Sequence, residues 1–313
     1  MSFMKVCICI LAKDRADLLE QSLISLSNQT YKNIEIIVSD NYSVTDATKN
    51  VVDKFPHVRY EKPPEPLEVY DHYNFVKNEL GSGDILGVFA DDDIYEPNFI
   101  EESVRLFIDN SKVYMTHTGF DFWYFETNKL KRVITNLKTY GSSIHYLERF
   151  SKQTPTINSP TLLIKTDIYK KFDYKPHFIL ADFELWLRII VNTDGYVGYV
   201  DKALMRYRKH KRAMTVSDDR FSNRVLMANE YCNFFWDLVK HSKNSENLNE
   251  NLSKLFKSKV LNTFQYQKIL NSNYRKEFIT NVKNNNFVSV TFIDVAKDVS
   301  KKLGYKLRNN KTN

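Results

Sequence analysis

Short apolar runs alternate with amphipathic segments over the first 120 residues of the chain. The runs predict buried strands over residues 5–11, 34–39, 58–61, 85–90 and 113–118. Between the runs, apolar positions recur with a helical period and predict helices over residues 16–28, 45–54, 70–79 and 99–108. Because alternating strands and helices are typical of right-handed βαβ units, we predict an α/β fold with a mostly parallel sheet flanked by helices.

The second half of the chain has a less regular pattern. It predicts helices over residues 143–150, 167–172 and 181–192, and strands over residues 161–165, 196–200 and 203–207. After residue 219 the pattern is helical and polar. We therefore predict a sheet domain over residues 1–215, with halves at 1–118 and 119–215, and a helical, basic C-terminal extension over residues 216–313.

Polar residues follow three of the predicted strands, at positions 12–15, 40–41 and 91–93. In a parallel sheet, ligands bind beyond the carboxyl ends of the strands, so these three clusters are expected to converge on one crevice. The three consecutive carboxylates at positions 91–93 repel one another and are costly unless a cation or a polar ligand lies among them. The alternative is a solvated acidic turn before a helix that begins near Pro97.

The positive net charge indicates anionic partners. The 313 residues include 45 Lys and Arg against 38 Asp and Glu, a net charge of +7 with a pI near 9.0. This balance suits nucleotide phosphates, lipid diphosphates, an anionic membrane or nucleic acid. The sequence contains no recognizable nucleic-acid module, so no nucleic-acid partner is expected. The 14% aromatic content, with 19 Tyr, suits amphipathic surfaces such as sugar sites.

Cysteine usage favours a cytoplasmic protein. Cys7 and Cys9 alternate on the first strand and Cys232 stands apart, so neither a zinc site nor a disulfide framework is expected. The first apolar run is too short for a signal peptide, and no run of 18 apolar residues predicts a transmembrane helix. Residues 297–311 carry six basic residues against Asp298. They form either a tail that binds the inner face of the cytoplasmic membrane or a solvated terminus.

Five segments of the chain, in order, resemble the motifs of the family 2 glycosyltransferases, which have the GT-A fold. They are Ile-Leu-Ala-Lys-Asp-Arg at 10–15, Ser-Asp-Asn with Ser and Thr-Asp over 39–46, Gly-Asp-Ile to Asp-Asp-Asp over 83–93, Ala-Asp-Phe-Glu-Leu-Trp-Leu-Arg at 181–188, and Tyr-Arg-Lys-His at 207–210. The resemblance covers roughly residues 4–215. It implies a Rossmann-like sheet with a nucleotide-binding half (1–118) and an acceptor half (119–215).

The resemblance also implies an activity. Members of the family move a sugar from a nucleotide-sugar donor, and a UDP-sugar is the donor we expect here. The acceptor would be a hydroxyl of a glycan or of a lipid-diphosphate-linked sugar in bacterial surface-polysaccharide assembly, such as a capsule or an O-antigen. A divalent cation, Mn²⁺ or Mg²⁺, held at a DxD-type motif, would bridge the two donor phosphates. A single displacement would invert the anomeric centre.

By the same resemblance, seven residues receive roles. The nucleotide donor would contact Ala12, Arg15, Asp40, Asp91 and His210, with Asp40 accepting a hydrogen bond from the uracil ring. The metal ligands would be Asp92, Asp91 and His210. Asp182 would be the general base that removes the proton of the acceptor hydroxyl.

Several assignments have alternatives in ordinary structure. Asp40 is equally suited to cap the turn before Thr45. Asp182 is suited to cap the helix that follows it, in which case Glu184 is the next candidate for the base. Arg15 would either contact a phosphate or pair with an acid such as Asp40.

Two further pairs of residues are candidates for substrate contacts. Asn158 and Ser159 are candidates to line the sugar pocket. Trp123 and Tyr124 are candidates for an acceptor platform.

The chain departs from the family pattern in places that keep other functions open. Ala181 stands where the family has Glu, Lys13 and Asp14 replace Tyr and Asn, and the DxD register begins at either Ala90 or Asp91. These departures leave a weakly active or non-catalytic scaffold as an alternative. A sugar-nucleotide nucleotidyltransferase is disfavoured because its first loop is Gly-rich, whereas residues 11–15 contain no Gly.

Overall fold

The computed structural model of the chain describes residues 4–135, 137–152, 157–175 and 180–213. The strands are β1 Val6–Ala12, β2 Ile34–Asp40, β3 Val58–Glu61, β4 Ile85–Ala90, β5 Ile94–Tyr95, β6 Val113–Tyr124, β7 Lys129–Val133, β8 Tyr140–Gly141, β9 Leu163–Lys165 and β10 Tyr196–Lys209. The helices are α1 Ala16–Ser27, α2 Ala47–Val52, α3 Val69–Phe75, α4 Phe99–Asp109, α5 Ser143–Lys152, α6 Thr166–Tyr169 and α7 Ala181–Asn192.

Four parallel strands form the N-terminal half of the sheet, in the order β3-β2-β1-β4. All seven residues of β1 are buried, because helices cover both faces of this central strand. The register pairs Ala12 with Asp40 and Leu11 with Ala90, so β1, β2 and β4 end at the same level. The expected α/β sheet is confirmed, and the three polar clusters do reach one edge of it.

The second half of the sheet continues through β9, β6, β10 and β5, and its pairing is mixed. β6 and β10 run parallel, while β9, β5, β7 and β8 pair antiparallel with their neighbours. The sequence predicted β6 only to residue 118 and β10 as two strands, whereas β6 runs to Tyr124 and β10 is continuous. Irregular register between β6 and β10 at residues 200–206 accounts for the break in the apolar pattern.

The chain divides into two units. The first comprises residues 1–143 and 155–213 and contains the whole sheet. The second comprises residues 144–154 and 214–313, of which the structure describes α5. The predicted extension over residues 216–313, the basic tail and Cys232 lie outside the described residues. None of the helices within the described ranges is both long and apolar enough to span a bilayer.

A sharp turn joins α7 to β10 and depends on Gly195. Its backbone has φ of 124°, a conformation that side-chain-bearing residues rarely adopt. A Cβ atom at this position would collide with the carbonyl oxygen of Lys112, which accepts the N–H of Tyr196 at 3.0 Å. The turn therefore sets where β10 begins.

Gly195→Ala is expected to lower the free energy of unfolding by about 2 kcal/mol or more, because it adds backbone strain and a steric clash. Urea denaturation followed by circular dichroism measures this change. The matched control is Asp194→Ala at the neighbouring exposed position, which should change stability by less than about 0.5 kcal/mol. Equal stability of the two variants would contradict the role given to Gly195.

Candidate active site

Three acidic residues occupy the turn between β4 and β5. Asp91, Asp92 and Asp93 have 0%, 9% and 1% of their surface exposed, so the turn is buried rather than solvated. Aromatic packing fixes both sides of it, since the rings of Phe89 and Tyr95 stack with centroids 4.8 Å apart. The alternative of a solvated acidic turn is therefore wrong.

Arg15 supplies positive charge to two of these carboxylates. It lies at the start of α1, and its Nη2 is 2.5 Å from Asp91 Oδ1 while its Nη1 is 2.9 Å from Asp92 Oδ2. The backbone N–H of Lys13 adds a longer hydrogen bond of 3.4 Å to Asp91 Oδ2. Of the two alternatives for Arg15, the structure shows the ion pair, but with Asp91 and Asp92 rather than with Asp40.

The end of β10 completes the cluster. His210 Nε2 lies 3.0 Å from Asp92 Oδ2, and the backbone N–H of Arg208 donates to Asp93 Oδ1 at 2.9 Å. The other oxygen of Asp93 is buried and has no hydrogen-bond partner. The structure thus brings the predicted residues Arg15, Asp91, Asp92 and His210 together in one place.

Burial and charge separate the pKa values of the three carboxyl groups. Burial raises the pKa of Asp91 to about 7, with the charge of Arg15 opposing the shift and that of Asp92 adding to it. Burial also raises the pKa of Asp93 well above its usual range. Burial acts on Asp92 in the same direction, but the hydrogen bond from His210 and the charge of Arg15 hold its pKa below the usual value. Asp92 is therefore the carboxylate of this cluster that is most readily ionised.

Asp40 is buried at the end of β2 and already accepts three hydrogen bonds. Its Oδ1 accepts the N–H of Ser43 at 2.9 Å and the hydroxyl of Ser43 at 2.7 Å, and its Oδ2 accepts the hydroxyl of Tyr60 at 2.6 Å. The bond to the N–H of Ser43 is the turn-capping alternative, which the structure confirms. A carboxylate has about four acceptor positions, so a contact to a nucleobase remains chemically open. Ala12, also buried, uses its carbonyl to accept the N–H of Asn41 at 2.9 Å.

Asp182 lies in the first turn of α7 as a half-buried carboxyl group. Its Oδ2 accepts the hydroxyl of Ser159 at 3.0 Å, and its Oδ1 accepts the N–H of Phe183 at 2.7 Å. Burial raises the pKa of Asp182, while these two hydrogen bonds oppose the shift. A raised pKa favours proton uptake at neutral pH, so the group has the properties of a general base. The capping alternative is wrong, because Leu180 is the N-cap of α7 and no side chain of the described residues caps this helix.

Glu184, the other candidate for the base, is committed to ion pairs. It is 1% exposed, and both of its oxygens lie 2.9 Å from the guanidinium of Arg188. Lys175 adds a third contact at 3.1 Å. Because both oxygens of Glu184 are occupied by these cations, the geometry favours Asp182 as the base.

The charges of both Asp182 and Asp92 act on the pKa of Tyr73. Burial raises the pKa of this tyrosine well above its usual value, and the charges of Asp182 and Asp92 both add to the shift. The phenol in α3 therefore lies within electrostatic range of both carboxylates. Its ring packs against Tyr174 at a centroid distance of 4.9 Å. The sequence pattern did not single out Tyr73 or Tyr174, because aromatic residues at helical spacing are usual in a core.

A cation was expected at Asp91, Asp92 and His210. Within the ranges that the structure describes, no group of three or more His, Cys, Asp or Glu residues is arranged to hold a metal ion. The donor types nonetheless suit Mn²⁺ or Mg²⁺, and Mg²⁺ is usually held by one or two carboxylates together with substrate phosphates. The unpartnered Oδ2 of Asp93 is a further buried oxygen in the same turn. Asp92 and His210 would therefore hold a cation only in company with donor phosphates.

The sequence missed several partners of the predicted residues. Ser159, a candidate for the sugar pocket, donates its hydroxyl to Asp182, and the sequence does not reveal this bond. The sequence pattern indicates neither the bond from the backbone N–H of Arg208 to Asp93 nor the bond from the hydroxyl of Tyr60 to Asp40. These contacts join residues far apart along the chain, and no local spacing reveals them.

The chain matches a known protein family and resembles a curated relative. Residues 7–180 match the family model described as glycosyl transferase family 2. The chain is similar to an uncharacterized glycosyltransferase of Haemophilus influenzae, with 26% identity over 216 residues that span 68% of this chain and 82% of the relative.

Two solved structures have folds similar to that of this chain. S. aureus TarS 1–349 in complex with UDP-GlcNAc has a TM-score of 0.69 and 11% identity, with 91% of this chain and 82% of that chain covered. The mannosyltransferase PcManGT from Pyrobaculum calidifontis in complex with GDP-Man and Mn²⁺ has a TM-score of 0.59 and 12% identity, with 97% and 80% covered. The predicted GT-A fold is thereby confirmed.

Asp91→Asn should change how stability depends on pH. Because the folded pKa of Asp91 is raised from 3.8 to about 7, its favourable contribution is present below pH 4 and is lost as pH rises toward 7. The amide has no proton to lose, so the variant should gain stability relative to wild type by roughly 2 kcal/mol between pH 5 and pH 7. Urea denaturation across this range measures the difference.

The control for this experiment is Asp53→Asn, which changes an exposed carboxyl group at the end of α2. The stability of the Asp53→Asn variant should match that of wild type at every pH. A constant stability difference between Asp91→Asn and wild type across the range would show that Asp91 does not titrate near pH 7.

Proposed function

The chain belongs to glycosyl transferase family 2, and we propose that it is an inverting enzyme that moves a sugar from a UDP-sugar to a hydroxyl of a glycan or lipid-linked acceptor. Membership of the family supports transfer of a sugar from a nucleotide-sugar donor. The observation that carries the finer proposal is the environment of Asp182, a half-buried carboxyl group that accepts the hydroxyl of Ser159 and has a raised pKa.

In the proposed reaction Asp182 receives the proton of the acceptor hydroxyl. The acceptor oxygen then forms a bond to the anomeric carbon as the bond from that carbon to the nucleoside diphosphate breaks. One displacement from the opposite face inverts the anomeric centre, as it does in inverting glycosidases. The hydroxyl of Ser159 donates to Asp182 and so holds its carboxylate in a fixed orientation.

The departing group is an anion, and Arg15 beside the acidic cluster is a cation that can turn from Asp92 toward the diphosphate. His210 lies on the same oxygen of Asp92. Asp92 and His210 would also hold the divalent cation, which when bound neutralises charge on the leaving phosphates. Cations that neutralise the leaving group stabilise the transition state more than the bound donor.

We propose UDP as the nucleotide, with Asp40 accepting from the uracil ring. The S. aureus TarS structures with UDP and UDP-GlcNAc support this choice, while the GDP-Man and Mn²⁺ complex of the mannosyltransferase supports a metal and leaves GDP as the competing nucleotide. Asp91, Arg15 and Ala12 would complete the nucleotide contacts.

The acceptor is proposed to be a lipid-diphosphate-linked glycan in bacterial surface-polysaccharide assembly, such as that of a capsule or an O-antigen. The net charge of +7 and the basic tail over residues 297–311 support an anionic acceptor and a peripheral contact with the inner face of the cytoplasmic membrane. A weakly active scaffold is the alternative, favoured by Ala181 at the position where the family has Glu.

Calorimetric titration should show that UDP binds tightly with Mn²⁺ and that binding is lost with EDTA. Asp92→Ala should abolish the metal-dependent part, because it removes the most readily ionised carboxylate of the cluster. Asp167→Ala, which removes an exposed carboxylate on α6, is the control and should bind as wild type does. Unchanged affinity of Asp92→Ala would refute the metal role.

The same titration with GDP and dTDP tests the nucleotide. Tight binding of either in place of UDP would keep the enzyme class and remove the uracil role of Asp40. Absence of binding to all three would favour the scaffold.

Asp182→Asn is expected to bind the donor as wild type does and to lose transfer by at least about a hundredfold, because the amide cannot accept a proton. Donor turnover measured by release of the free nucleoside diphosphate, with and without acceptor, separates transfer from binding. Asp167→Asn serves as the matched exposed control. Near-normal transfer by Asp182→Asn would assign the base to another group.

A further inference from the structure

The hairpin formed by the end of β6 and by β7, residues 122–134, exposes several apolar side chains. The two strands pair antiparallel, with Tyr124 opposite Lys129. Because neighbouring residues point to opposite faces of a strand, Tyr124 and Leu130 lie on opposite faces of the ribbon. The large apolar side chains exposed here are Tyr124 at 42%, Phe125 at 42%, Leu130 at 54% and Ile134 at 43%.

The hairpin carries an excess of positive charge. It carries Lys129, Lys131 and Arg132, all exposed, and Glu126 is the one acid of its sequence. Arg132 pairs with Asp121, whereas Lys129 and Lys131 have no acidic partner among the residues that the structure describes. Exposed aromatic and aliphatic groups beside unpaired lysines suit the interface of an anionic bilayer. There the apolar groups enter the headgroup region and the lysines meet lipid phosphates.

The aromatic rings at the base of the hairpin are already engaged. The ammonium of Lys209 lies 5.0 Å from the ring of Phe122, and the guanidinium of Arg208 lies 4.7 Å from the ring of Trp123. Nucleic-acid bases need free ring faces on which to stack, which these two rings do not offer. The aliphatic Leu130 gains most from contact with hydrocarbon. The pattern therefore favours a lipid surface over a nucleic acid.

We propose that the hairpin docks the protein on an anionic lipid surface, with Tyr124 and Leu130 among the headgroups and Lys129 and Lys131 on lipid phosphates. This surface is distinct from the basic tail over residues 297–311, to which the proposed function assigns the membrane contact. The inference stands on the hairpin alone and does not require that sugar transfer occur.

The hairpin is also tied to the candidate active site. The guanidinium of Arg208 stacks on Trp123 and on Phe125, at 4.7 and 4.9 Å from the ring centroids. The backbone N–H of the same residue donates to Asp93 in the acidic turn. If the hairpin rests on lipid, Arg208 therefore keeps the acidic turn near the membrane surface. The sugar of a lipid-linked acceptor would lie close to the same surface.

Sedimentation of the full chain with lipid vesicles tests the proposal. Wild type should bind vesicles that contain phosphatidylglycerol and should not bind vesicles of phosphatidylcholine alone. Lys129→Gln with Lys131→Gln should weaken binding roughly thirty-fold, given the usual contribution of a lysine at an anionic surface. Tyr124→Ser with Leu130→Ser should weaken it at least about tenfold, because both groups lose their insertion into the interface.

Matched control pairs separate the hairpin from general charge and hydrophobicity. Lys49→Gln with Lys54→Gln makes the same charge change at exposed lysines on and after α2, and Ile24→Ser with Ile108→Ser removes two equally exposed isoleucines from α1 and α4. Both control pairs should bind vesicles as wild type does. Thermal unfolding confirms that each variant is folded before its binding is compared.

Three outcomes would overturn the proposal. They are failure of wild type to bind anionic vesicles, binding by the hairpin variants equal to wild type, and losses in the control pairs as large as those in the hairpin pairs. Loss of binding only on deletion of residues 297–313 would assign the contact to the tail instead. Calorimetric titration of UDP into the same variants is a separate readout, so failure of the proposed function is distinguishable from failure of the docking surface.

A second measurement does not depend on charge-changing variants. Vesicles with brominated lipid tails should quench the fluorescence of Trp123, which lies at the base of the hairpin and donates to Asn128 at 2.9 Å. Quenching should fall markedly in Trp123→Phe, since the remaining tryptophans, Trp186 and Trp236, lie elsewhere in the sequence. Equal quenching in wild type and Trp123→Phe would place the lipid away from the hairpin.

Discussion

Burial of three adjacent carboxyl groups in one turn is the constraint on which the site depends. Asp91, Asp92 and Asp93 are held out of water by aromatic packing on both sides of the turn. Such a turn requires positive charge and hydrogen-bond donors from elsewhere in the chain. They come from Arg15 after β1 and from Arg208 and His210 at the end of β10. The electrostatic requirement thus joins three strand ends that are distant in sequence.

The same requirement explains how the site can receive an anionic ligand. In the structure described here, Arg15 divides its guanidinium between Asp91 and Asp92, and His210 shares the same oxygen of Asp92. A diphosphate would compete with these carboxylates for the guanidinium of Arg15, and Asp92 and His210 are the residues that would hold a divalent cation. Asp91, whose pKa is raised to about 7, can adjust by taking up or releasing a proton.

The sequence predicts the N-terminal half of the sheet well because that half consists of buried parallel strands, which give uninterrupted apolar runs. It predicts the second half less well for identifiable reasons. β5 and β8 have two residues each and exist only because β10 pairs with them. β7 is polar and exposed, so its residues carry no apolar period. Arg15 was recognised as an ion-pairing candidate, yet its partners depend on strand register, which composition and spacing do not contain.

The contact between Arg208 and Asp93 is made by the backbone, and this has an evolutionary consequence. Any residue other than proline at position 208 supplies the same N–H, so the bond to the acidic turn does not constrain the side chain. The side chain stacks on the rings of Trp123 and Phe125 and donates to Gln21, and its charge opposes the rise that burial gives the pKa of Asp93. A substitution at position 208 would therefore change the hairpin and the charge balance of the acidic turn together. Evolution of the hairpin surface is coupled to the acidic turn through this one side chain.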